Sequence, residues 1–187
     1  MTLGPIFTEP HQNAVETYSK KPSDCSTDEL KAFEGLVLKG GEVSAVGLPG
    51  RIRRAKLLVF SREGDRLIGV AAIKKPGEDY QSRTAAKSKL DLPKELWPYE
   101  LGWVFLEEDA RGKRLSHALV ACALDGLCTA LFATSRAENN SMHAALTRAG
   151  FKQEGECYPS DHHAGWMVVF RRRKPLEDKE DLERTYN

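Results

Sequence analysis

The chain contains no apolar run near the length of a membrane span, no signal-peptide profile at its N-terminus and no internal repeat. These gaps argue against a helical membrane protein and a repeat array, and we expect a soluble, cytoplasmic protein with no membrane partner. Cysteine is sparse. The four present (Cys25, Cys122, Cys128 and Cys157) show no metal-type pairing and no framework spacing, so they read as reduced thiols. His117 and His143 fall at helical positions without partners at ligand spacing, so no metal is expected. Neither sign of charge is in excess: 28 Lys and Arg face 27 Asp and Glu, for a net charge of +1. That balance lacks the basic footprint of a nucleic-acid binder, and nucleic acid is not an expected partner. Two phosphate-binding patterns are also missing. No Gly-x4-Gly-Lys-Ser/Thr string occurs, and the one loop that follows a strand and opens a helix carries a single glycine where a dinucleotide fingerprint needs three.

What is present fits one domain. The 187 residues are 41% hydrophobic, enough for a single core. Residues 1–25, with three prolines and no clear period, read as a flexible N-terminal arm. Residues 26–173 form the domain, and 174–187 a charged tail that is solvated. Ser26-Thr27-Asp28-Glu29 is a capping box for a helix carrying Leu30, Phe33, Leu36 and Val37 on one side, ended by Gly40-Gly41. Pro49 to Arg54 is either a short helix or a turn. Strands are expected at Lys56–Arg62 and Arg66–Lys74, joined by a turn at Glu63-Gly64-Asp65, and Pro76-Gly77 breaks the second. A polar helical insertion covers Tyr80–Leu90, followed by a proline-flanked loop to Pro98. Later strands are expected at Tyr99–Leu106, Ala130–Thr134, Phe151–Tyr158 and Trp166–Arg172. Strands alternating with helices, with hairpins at both ends, predict an α/β fold with a mixed sheet.

The richest segment is Tyr99 to Cys122. An apolar strand stops at the acidic turn Glu107-Glu108-Asp109, a basic loop follows, and Leu115 opens a helix. Free N–H groups and the positive end of the helix dipole converge there, with Arg111, Lys113 and Arg114 around them: an anion site suited to a phosphate or pyrophosphate. The plainer reading is a solvated basic loop. A second segment runs from the strand at Ala130 through a polar link into a helix that stops at Gly150.

Together these segments resemble the GNAT superfamily of N-acetyltransferases. The loop is similar to the family's Arg/Gln-x-x-Gly-x-Gly/Ala, with Arg111 opening it, Arg114 in place of the first glycine and Ser116 at the small-residue place. The later segment is similar to Asn-x-x-Ala-x-x-x-Tyr-x-x-x-Gly-Phe, with Asn139 on the asparagine, Gly150-Phe151 at the end and Leu146 where the family has tyrosine. The resemblance spans about residues 26 to 172. It implies a mostly antiparallel central sheet flanked by helices, with splayed fourth and fifth strands at Tyr99–Leu106 and Ala130–Thr134. It also implies acetyl-CoA as co-substrate and no metal. Pantetheine contacts would come from Val104, Phe105 and Leu106. The diphosphate would bind at Arg111, Gly112, Lys113, Arg114, Leu115 and Ser116, and Asn139 joins the cofactor set.

The implied reaction is acetyl transfer to a primary amine by direct attack in a ternary complex. A base is useful because alkylamines are protonated at neutral pH. Glu100 is the candidate; the alternative is a strand-end carboxylate paired with a neighbouring Arg or Lys. With Leu146 at the tyrosine place the usual acid is absent, which leaves Tyr158, Ser141 or unaided departure of the thiolate. Tyr158 also reads as a strand-end aromatic packed on the core. Trp103 and Phe105 read as core packing. His162-His163 and the cluster Arg51, Arg53 and Arg54 border the expected acceptor side, where a plain solvent face is the competing reading. Two further functional readings stay open: a GNAT scaffold with weakened catalysis serving as a CoA-binding or protein-interaction module, and a toxin-like enzyme acting on aminoacyl-tRNA. The acceptor is a small molecule or protein amine, and a homodimer is left open.

Overall fold

The computed structural model describes residues 14–161 and 164–174. The element order is β1 (Val15–Lys20), α1 (Thr27–Lys39), α2 (Leu48–Arg54), β2 (Leu57–Glu63), β3 (Arg66–Lys74), α3 (Glu78–Ser88), β4 (Tyr99–Leu106), α4 (Leu115–Leu124), β5 (Leu131–Arg136), α5 (Asn140–Arg148), β6 (Lys152–Pro159) and β7 (Trp166–Arg172). The seven strands make one sheet in the order β1-β2-β3-β4-β5-β7-β6. Every neighbouring pair is antiparallel except β4–β5, which is parallel. The expected mixed, mostly antiparallel sheet flanked by helices is what the chain builds.

Local chemistry sets several boundaries. The capping box at α1 is complete: Ser26 Oγ accepts from the Glu29 amide at 3.1 Å, and Glu29 Oε2 accepts from the Ser26 amide at 2.8 Å. The segment left open at Pro49 is helix α2, with its proline in the first turn, where a missing N–H costs nothing. Helix α5 ends in a Schellman motif. Gly150 takes φ +84°, its amide donates to the Thr147 carbonyl and the Phe151 amide donates to that of Leu146, both at 3.0 Å. Leu146 and Phe151, the apolar pair that accompanies this turn, are both 1% exposed and share one core cluster.

The sheet's period of two sends alternate residues to opposite faces. Leu58, Phe60, Val70 and Ala72 pack under α1 and α2, while Val59, Ala71, Ile73 and Leu101 pack under α4 and α5. Phe132 of β5 and Val169 of β7 join Trp97 and Leu92 in a third cluster, on which Tyr80 and Ala85 of α3 pack. Among the described residues no helix is long and apolar enough to cross a membrane.

One expectation needs correction. Residues 15–20, assigned to a flexible arm, are the edge strand β1, paired along its length with β2. Thr17 and Ser61 share a 3.0 Å hydrogen bond, and Tyr18 stacks on Phe60 at 5.6 Å. The strand reads as polar because an edge strand half covered by one neighbour needs few apolar residues. Residues 22–24 add a 3-10 turn, so the structured region begins ahead of Ser26. Residues 1–13, His162-His163 and the tail from 175 lie outside the described residues.

Candidate active site

Strands β4 and β5 pair only over Tyr99–Leu131, Glu100–Phe132 and Leu101–Ala133, although β4 continues to Leu106. Beyond Leu101 they part, leaving this edge of β4 without a strand partner among the described residues. On the other edge the register slips by one residue: Val70 and Ala72 of β3 face Phe105 and Gly102, so β4 carries an extra residue there. Trp103 absorbs it at φ +52°, a left-handed conformation costly for a tryptophan. The bulge turns the backbone of residues 102–105 at the point where the strands separate.

The gap opens into a cavity of about 850 Å³ whose walls include Trp103, Val104 and Phe105 of β4, Thr134 and Ser135 of β5, Tyr80 and Arg83 of α3, and Tyr158 of β6. Glu100 stands at its floor, 1% exposed. Its carboxylate is fully engaged. Oε2 lies 2.8 Å from Lys74 Nζ, while Oε1 accepts from Tyr80 Oη at 3.0 Å and Thr134 Oγ1 at 3.1 Å. Each element contributes by register: Lys74 is the residue directly across from Glu100 in the β3–β4 ladder, and Thr134 lies two residues past Glu100's partner Phe132 on β5. Lys74 reaches the carboxylate by lying across Gly102; a Cβ there would stand 2.6 Å from Lys74 Cε and 2.7 Å from Nζ. The ammonium also sits 5.5 Å from the Trp103 ring centroid and 5.8 Å from that of Tyr80, within cation–π range.

The two phenols flanking this group hold their protons. Burial, with the Glu100 charge second, holds Tyr80 well above the usual phenol range, and the same causes raise Tyr158. Tyr158 is both a wall of the cavity and a member of the third core cluster, so it packs on the core while bordering the gap.

The basic loop sits beyond the cavity's lining, at the far end of the unpaired edge of β4. Gly112 (φ +78°) and Arg114 (φ +59°) turn the chain into α4. Among the described residues, the amides of Gly112, Lys113, Arg114, Leu115 and Ser116 donate to no protein acceptor. Amides left free at a helix start are donors that an anion could take up. Lys113 and Arg114 are exposed and enter no ion pair among the described residues. Arg111 instead folds back: its Nε donates to the Leu106 carbonyl at 3.3 Å and its guanidinium lies 5.9 Å from the Phe105 ring centroid. Asn139 lines the cavity while its side chain caps α5, accepting from the Met142 amide at 3.0 Å.

The structure therefore brings Glu100, Tyr158, Val104, Phe105 and Asn139 to one cavity, and sets residues 111–116 apart from it, with the free amides at 112–116. Leu106 ends β4 outside the cavity wall. Lys74, Tyr80 and Thr134 were missed by the sequence reading. The signals available were a lysine closing the apolar strand Leu67–Ile73 and a glycine amid the bulky residues of Leu101–Leu106. Arg51 lines the cavity but spends its guanidinium on the Ser44 carbonyl at 2.5 Å. His143 is bound to the Arg136 carbonyl at 3.0 Å and packs on Phe170.

No family model matches the chain, and no curated protein matches it. Solved structures do. Escherichia coli ElaA superimposes with a TM-score of 0.64 at 18% identity, covering 86% of this chain and 100% of its own. An acyl-CoA N-acyltransferase from Pseudomonas aeruginosa gives 0.57 at 19%, covering 85% and 99%. The structure of yncA from Salmonella typhimurium with its cofactor acetyl-CoA gives 0.58 at 12%, covering 90% and 98%. At such identities the likeness is one of fold: the chain has the fold of the GNAT acetyltransferases.

Proposed function

We propose that this chain is an acetyl-CoA-dependent N-acetyltransferase that acetylates a primary amine by direct attack. The observation that carries this reading is the parting of β4 and β5 beyond Leu101 onto a cavity floored by a buried carboxylate. In this reading the pantetheine arm pairs with the unpaired edge of β4 at Val104, Phe105 and Leu106, as a strand would. The diphosphate takes the free amides of residues 112–116, with Arg111, Lys113 and Arg114 supplying charge. Asn139 borders the same channel.

The thioester is already activated, so the protein's work is to bring the amine close and manage its protons. Glu100 takes a proton from the incoming ammonium. It lies at hydrogen-bond distance from an amine already, that of Lys74, which marks the place an acceptor nitrogen would take. Tyr158, kept protonated by burial and by Glu100, is placed to donate a hydrogen bond to the departing thiolate, while the same burial makes it a poor source of a transferred proton; a thiol pKa near ~8.5 lets the thiolate leave without one.

A second reading has support too. Lys74 occupies Glu100, and Leu146 is buried core where the family motif places a tyrosine. A GNAT scaffold that binds CoA without turnover would look like this. Cofactor binding is common to both readings and is tested first; turnover then separates them. Acetyl-CoA at about 100 times its Kd should stabilise the fold by ~2.7 kcal/mol. Charge reversal at Arg111 combined with Ser116→Glu should abolish that shift with the fold intact. Release of free thiol with an amine panel then marks the enzyme; binding without release marks the scaffold.

A further inference from the structure

Lys74 is the one feature of the site that acetyl transfer to an external amine leaves unexplained. It is a primary amine fixed at the carboxylate an acceptor would need, with a side chain only 17% exposed. It lies over the Gly102 backbone, one residue past the last β4–β5 pair, at the mouth of the gap. Two aromatic faces and the missing Cβ of Gly102 hold it there.

We infer that Lys74 is itself an acetyl acceptor, so that the protein acetylates its own Lys74 Nζ inside the cavity. This rests on the acetyl-CoA reading above. Glu100 Oε2 takes one proton from the Lys74 ammonium, and the freed lone pair attacks the thioester carbonyl carbon. The C–N bond forms as the C–S bond breaks, and the CoA thiolate leaves with a second proton. The products are the Lys74 acetamide, which keeps one N–H, free CoA thiol, and one proton passed from Glu100 to solvent. No oxidant or further reactant is needed. The reaction removes the Lys74 charge and breaks its ion pair with Glu100. An acceptor amine that displaces Lys74 from Glu100 competes with it.

The test uses the full chain with isotopically labelled acetyl-CoA and peptide mapping over time. Lys89 and Lys94, with side chains 69% and 55% exposed, report the uncatalysed background. Lys74 should acquire label at least about tenfold faster than either, the advantage of a held amine over a free one. Excess CoA should suppress labelling at Lys74 and spare Lys89 and Lys94. Glu100→Gln should bring Lys74 down to the background rate. Acetic anhydride, which needs no binding site, should reverse the order, with Lys74 slowest because it is the least exposed. If acetyl-CoA raises the melting temperature yet Lys74 labels no faster than Lys89, self-acetylation is wrong and the cofactor reading survives. If neither a melting shift nor labelling appears, both fail. The rate order and CoA protection in the parent chain decide the matter even if Glu100→Gln fails to fold.

Discussion

Gly102→Ala tests how the site is held together, because its effect runs through a neighbour. The new methyl would stand 2.6 Å from Lys74 Cε and 2.7 Å from Nζ, where ordinary carbon contacts fall at ~3.5–4.0 Å. The lysine terminus must retreat by about 1 Å on that standard, which breaks its 2.8 Å contact with Glu100. Oε1 keeps Tyr80 and Thr134, but Oε2 is left buried without its cation. Losing one charge-assisted hydrogen bond costs ~1.5–3 kcal/mol. The reduced entropy of the unfolded chain returns ~0.4–1 kcal/mol. The net loss of about 0.5–2.6 kcal/mol lowers the melting temperature by roughly 1–10 °C for a chain of this size. Urea unfolding of a double-mutant cycle with Lys74→Ala gives the decisive reading. Lys74→Ala alone leaves a buried carboxylate unpaired, at ~3–5 kcal/mol. In that background the three atoms nearest the new methyl are gone, and the alanine should be neutral or mildly stabilising, a coupling of about 1.5–3 kcal/mol. Equal costs in both backgrounds would refute the claim that the glycine makes room for the lysine.

Three further outcomes are expected. Glu100→Gln should lower turnover with an external amine by about 10²-fold, less at high pH where more amine is neutral; undiminished thiol release at pH 7 removes Glu100 from the mechanism. Leu146→Tyr should overpack the core beneath the α5 Schellman turn at ~1–3 kcal/mol, with no faster thiol release; a stable, faster variant contradicts that packing. Alkaline stability carries the signature of the phenols. The folded protein raises Tyr80 and Tyr158 above the unfolded value near ~10, so their contribution is whole below that pH and is lost as pH climbs past it, at up to ~1.4 kcal/mol per pH unit for each. Tyr158→Phe should flatten the fall between pH 9 and 11 in urea titrations, and an unchanged slope rejects the shift.

The elements legible in the sequence are those whose cause lies within a few residues. Ser26 and Glu29 make a cap because each reaches the other's backbone. Gly150-Phe151 closes α5 because a left-handed glycine turns the Phe151 amide back to the carbonyl of Leu146, five residues earlier. The free amides opening α4 were readable for the same reason, since unsatisfied amides at a helix start follow from helix geometry alone. Strand β1 was not readable: Val15–Lys20 becomes a strand only because β2 offers it an edge. The centre of the site was hidden more deeply. Glu100 could be picked out on its strand, but its partners Lys74, Tyr80 and Thr134 lie 26, 20 and 34 residues away and arrive from three different elements. The sequence by itself determined the caps, the turns and most of the helices and strands, because hydrogen bonds and periodicity act over short range. Only the tertiary structure decided that a lysine would lie across Gly102 onto Glu100, because cross-strand register, a one-residue bulge and the splay of β4 from β5 exist only once the sheet is assembled.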